Sequence, residues 1–130
     1  MLDAESYIAE IEEIDALARK WIARSAGAVR KLQEMPSTDA VELACLCCRN
    51  AVQLVFFSRG RIGSGARQKM TQLQDSIDIA IAVATCLRQQ PHSDPVISGY
   101  IDNMYWRREL LSATLRHDKK KIREILNVAC

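Results

Sequence analysis

A chain of 130 residues has room for about one domain, and its 48% apolar and 26% charged residues match an ordinary globular protein. Five glycines, three prolines and few aromatics (two Trp, three Tyr, two Phe) exclude a turn-rich β architecture. The formal net charge of +2 excludes the strongly basic balance of a chain built mainly to coat nucleic acid.

The first predicted helix covers residues 4–35, with Asp3 as its N-cap. Ile8, Ile11, Ile14, Leu17, Ala18, Trp21, Ile22, Ala28, Val29 and Leu32 recur three and four apart, as a buried stripe requires. Six acids and no base fall between residues 1 and 15, a charge that suits the positive end of a helix. This acidic start, lacking an apolar core region, does not read as a signal peptide.

Pro36 stops that helix, and Asp39 followed by Glu42 imitates a capping box for the second. Residues 41–57 are apolar on nearly every side, broken only by Glu42, Arg49, Asn50 and Gln53. Such a helix must be enclosed by others. Its four polar residues break the uninterrupted apolar run of a membrane span, so no membrane partner is expected. Cys45, Cys47 and Cys48 lie inside this segment. Their mid-helix placement, and an odd total of five cysteines with Cys86 and Cys130, point to reduced thiols packed as small hydrophobes in a cytoplasmic protein. A zinc site needs four converging ligands, and Cys86, Cys130, His92 and His117 show no such spacing, so no metal or other cofactor is expected.

Gly60 is placed to end the second helix. The stretch 60–67 has the glycine spacing of a phosphate loop but lacks the following Lys-Ser/Thr and a preceding strand, which excludes a Walker site. A weaker anion site remains, built from Arg59, Arg61, Ser64, Gly65, Arg67 and Lys69 around the start of the next helix. That third helix is predicted over 66–89, with Met70, Leu73, Ile77, Ala80, Ala84 and Leu87 along its seam. Asp75 and Asp78 are placed to meet Arg108 or Arg88 across the bundle as an ion pair.

Pro91 ends the third helix. Asp94 and Pro95 start the fourth, which runs to about Arg116. Ile97, Tyr100, Ile101, Met104, Leu111 and Leu115 face inward, and Arg108 in the same seam needs water or a carboxylate at its tip. After His117-Asp118 comes a short basic helix, 119–128, separate from the fourth or continuing it. Arg116, Lys119, Lys120 and Lys121, with Tyr105 and Trp106 nearby, form a candidate nucleic-acid face.

The expected architecture is one all-α domain over 1–130, an antiparallel four-helix bundle with a short C-terminal helical extension. The second helix and the later half of the third are apolar beyond a single stripe, which suggests a homodimer. Val52, Val55, Phe56, Ile79 and Val83 are the expected interface. No nucleophile–base pair or di-iron Glu-x-x-His pattern occurs, so no enzyme is expected. The sequence reads as a non-catalytic protein-interaction module: an adaptor, export chaperone or regulatory subunit with itself and another protein as partners. The alternative is a nucleic-acid-associated regulator using the 59–69 loop and the basic C-terminal helix.

Overall fold

A computed structural model of the chain describes residues 3–58 and 64–129, the last two by backbone alone. Six helices occur among the described residues: α1 (Ala4–Glu34), α2 (Thr38–Phe57), α3 (Ser64–Arg67), α4 (Met70–Arg88), α5 (Val96–Leu115) and α6 (Lys119–Ala129). No strand occurs among the described residues.

Local chemistry sets most of the boundaries. Asp3 Oδ1 accepts from the Ser6 N–H at 2.7 Å, which holds its carboxyl below the usual range. The cap of α2 is Ser37 rather than Asp39: its hydroxyl accepts from the Ala40 N–H at 3.1 Å. Asp39 instead falls inside the first turn, where its charge still suits the helix dipole. The helix expected over 66–89 breaks at Gln68 and Lys69, leaving α3 as a single turn ahead of α4. Asp94 Oδ1 accepts from the Val96 N–H at 3.0 Å and starts α5 beside Pro95.

At the far end of α5, His117 adopts a left-handed φ of 55°. The Asp118 N–H reaches back to the Ala113 carbonyl at 2.9 Å, closing the helix in a Schellman-type turn. Asp118 then caps α6 by accepting from the Lys121 N–H at 3.0 Å, so α6 is separate from α5.

The four long helices form a ring in the order α1, α2, α5, α4, and α2 also meets α4 across the middle. The short links inside the hairpins α1–α2 and α4–α5 make each hairpin antiparallel. Between hairpins the direction is shared. Cys45 of α2 contacts Asn103 of α5, 58 positions on, and Phe56 borders the same hollow as Thr114 at that same offset. A constant offset means that α2 and α5 run parallel, and α1 and α4 therefore do too. Consecutive helices alternate in direction, and the crossing from α2 to α4 takes the long 58–69 connection.

Contact with three helices is what makes α2 apolar almost all round. Val41, Ala44, Cys45, Cys47, Cys48, Ala51, Val52 and Val55 are buried against α1, α4 and α5. By length and composition alone α2 could cross a bilayer, with a mean hydropathy of 1.5, contrary to the sequence expectation; its place in the bundle accounts for the buried residues, while Leu43, Leu46 and Phe57 are exposed. Ile22, Leu32, Leu73, Ile77, Ile101, Met104 and Leu111 complete the core, each large side chain contributing about 1.5–3 kcal/mol.

One helix outgrows this core. α1 has 31 residues and α2 has 20, or about 46 Å against about 30 Å at 1.5 Å per residue. The surplus of about 16 Å projects as an N-terminal arm. Residues 3–10 are all exposed, and full burial begins only at Ala18.

Candidate functional site

The arm and the end of the bundle it leaves expose several large apolar side chains. Tyr7, Ile8 and Leu17 are 45%, 55% and 45% exposed. Leu17 and Trp21 of α1 face Leu54 and Phe57 of α2 across a shallow groove, and Phe57 is 74% exposed. Near this end a hollow of about 230 Å³ is bordered by Phe56, Thr114, His117, Lys119 and Ile122.

The expected interface residues divide between core and surface. Val52 and Val55 are fully buried inside the chain, because α2 presents them to neighbouring helices; neither is available to a partner. Phe56 is half-buried at the rim of the hollow. Ile79 and Val83 lie one turn apart on α4, the first exposed and the second half-buried. Leu17, Trp21, Leu54 and Phe57 escaped sequence reading. Periodicity places Leu17 and Trp21 in a buried stripe and cannot show that the bundle ends beside them.

At the anion site anticipated at the third helix, one backbone donor is used by the chain itself. The Ala66 N–H, at the start of α3, donates to Asp15 Oδ1 at 2.9 Å. Asp15 Oδ2 accepts from Arg19 Nε at 2.9 Å. A Cβ added at Gly65 would meet both Asp15 Oδ2 and the Arg19 side chain at 3.3 Å, so this turn sits hard against α1. Ser64, Arg67 and Lys69 are exposed around it. Arg59 and Arg61 lie outside the described residues.

The basic C-terminal set makes no ion pair among the described residues. Arg116, Lys119 and Lys120 are exposed and Lys121 is half-buried, around the α5–α6 junction. Trp106 is half-buried with the Arg107 guanidinium 4.0 Å above its ring, while Tyr105 is exposed. The expected ion pair is present: Arg108 binds Asp78 through two hydrogen bonds, the longer of them 3.2 Å from Nη2 to Oδ2.

Cys45, Cys47 and Cys48 are buried, and burial pushes all three thiols up, that of Cys48 to about 12. Protonated thiols of this kind are poor nucleophiles. Among the described residues no group of His, Cys, Asp or Glu is arranged to hold a metal ion.

The remaining polar feature lies between α2 and α5. A groove of about 330 Å³ runs past Glu42, Cys45, Arg49, Gly99, Tyr100 and Asn103. Glu42 stands beside Tyr100, whose phenol is pushed up by burial and by that carboxylate. The Cys45 thiol donates to Asn103 Oδ1 at 3.6 Å, and the Arg49 and Arg107 charges both act on that thiol.

Compared with known proteins, the chain matches no family model, no curated protein and no solved structure.

Proposed function

We propose that this protein is a non-catalytic interaction module that docks helix on helix, with a second copy of itself as its first partner. The observation that carries this reading is the overhang of α1: an amphipathic arm, apolar at Tyr7, Ile8 and Ile11, extends past the helices that would cover it, with Ile14 the first of the stripe to pack on the core. An isolated helical segment of that length is marginal in water and gains stability by packing against something. In a two-fold pair, the arm of each copy lies over the partner's Leu17–Trp21–Leu54–Phe57 groove, and Tyr7 or Ile8 fills the hollow beside Phe56.

Charge supports a second copy as the occupant. The arm carries Asp3, Glu5, Glu10, Glu12 and Glu13, while the end of the bundle from which it projects carries the exposed Arg116, Lys119 and Lys120. A symmetric dimer brings these opposite signs together, which fixes register and speeds encounter. On this reading the protein serves as an adaptor, export chaperone or regulatory subunit in the reducing cytoplasm, where its exposed Cys86 thiol stays reduced.

Phe57→Asp tests the groove. Light scattering on the native chain should report a dimer and on the variant a monomer, with circular dichroism unchanged because Phe57 is largely outside the core. Dimerisation should also weaken as salt rises. A native chain that remains monomeric at high micromolar concentration would remove the proposal. The alternative, a nucleic-acid-associated regulator, draws on the same exposed bases, and a basic patch of this kind binds DNA or RNA with steep salt dependence. No binding at low salt would discard it.

A further inference from the structure

The α2–α5 groove carries an unbalanced charge that the docking face does not use. Because α2 and α5 run parallel at an offset of 58, residues meet level by level: Glu42 with Tyr100 and Cys45 with Asn103 along the groove, and Arg49 of its lining with Arg107 just beyond it. Two guanidinium stems are thus set side by side one turn below Asn103. Burial and the neighbouring Arg49 together pull Arg107 below its ordinary value.

The Arg107 guanidinium rests over the Trp106 ring, but Arg49 Nε and Arg107 Nε are buried with no hydrogen-bond partner, and neither side chain pairs with a carboxylate among the described residues. Arg19 and Arg108, by contrast, each hold an aspartate. Buried donors without acceptors, beside a second like charge, are costly in the empty state and gain most from an anion. Asn103 adds to this. Its Oδ1 accepts from the Cys45 thiol, and its amide N–H groups have no partner among the described residues.

We propose that this groove binds the phosphate group of a small phosphomonoester, held by Arg49, Arg107 and the Asn103 amide. A phosphomonoester carries about −1.5 to −2 charge and three acceptor oxygens, which balances two guanidinium groups where one carboxylate balances only one. Room remains for the rest of the ligand: a Cβ added at Gly99 meets nothing within 4 Å. Glu42 stands two turns above Arg49, about 10 Å along the helix, and disfavours a second anionic group there. The ligand's other end is therefore neutral or cationic.

The test is calorimetric and NMR titration of the full native chain with inorganic phosphate and with phosphoethanolamine, at constant ionic strength set by chloride. Saturable binding is expected for both, with amide shifts confined to α2 and α5 and tighter binding of phosphoethanolamine. Arg49→Gln and Arg107→Gln should each weaken binding by about tenfold or more. Arg107→Lys keeps the stem and the charge but loses the fork, and it should weaken binding even if a glutamine variant fails to fold. Absence of saturable binding to the native chain, or unchanged binding by Arg107→Lys together with a folded glutamine variant, overturns the proposal.

Discussion

α2 and the first third of α1 both carry apolar residues at helical spacing, yet they end in opposite environments. α2 touches α1, α4 and α5 and buries eight of its residues. The arm of α1 offers Tyr7, Ile8 and Ile11 at comparable spacing and leaves the first two 45% and 55% exposed. The difference is one of length and neighbours, not composition. A helix of 20 residues beside others of 19 and 20 has buried residues from Val41 to Val55, whereas one of 31 runs out of partners. Most of the apolar excess in α2 is therefore buried inside the chain, while Leu43, Leu46 and Phe57 of α2 and the overhang of α1 stay exposed.

Substitutions sharpen this contrast. Val52→Asp places a charge where the side chain has no solvent access and should cost about 4 kcal/mol or more, read as loss of the unfolding transition or a collapse of its midpoint in urea. Val52→Ala should cost about 2 kcal/mol. Ile8→Asp, on the arm, should leave the unfolding of the monomer within about 0.5 kcal/mol of native. A large loss from Ile8→Asp in a monomer would mean that the arm is packed after all.

Asp15 lies where the arm joins the bundle, and Asp15→Ala orphans the Ala66 N–H and frees Arg19. A loss of about 1–2 kcal/mol is expected, with faster hydrogen exchange at Ala66. The core thiol of Cys48 gives a pH signature. Its folded pKa, about 12, lies above the ordinary 9.0, so its contribution is fully present below pH 9 and is lost as pH rises through the folded value. Stability should fall by up to about 1.4 kcal/mol per pH unit above pH 9, and Cys48→Ala should remove that part of the slope. The smallest effect belongs to Asp78→Asn: its pair with Arg108 is 48% and 40% exposed, so less than about 1 kcal/mol is at stake.

The all-α class, the hairpin breaks at Pro36 and Pro91, and the buried cysteines were legible because each depends on nearby residues. An ion pair across the bundle was legible too, but not which of Asp75 and Asp78 would meet Arg88 or Arg108; Asp78 and Arg108 do so. The cap of α2 was misplaced because Ser37, Thr38 and Asp39 are all capping residues and only backbone geometry separates them. The bond from the Ala66 N–H to Asp15 was not legible for a different reason: Asp15 is 51 positions away, and no local pattern joins them. Val52 and Val55 looked like surplus apolar surface because the sequence does not reveal that α2 touches α4 across the bundle. The parallel register that sets Arg49 beside Arg107 was hidden for the same reason.

Sedimentation equilibrium over a wide concentration range, on the native chain and on a Tyr7→Asp/Ile8→Asp double variant, addresses the arm most directly. The account predicts a dimer for the native chain and a folded monomer with an undiminished unfolding midpoint for the variant. A native monomer at every concentration, or a variant dimer as tight as the native one, would contradict it.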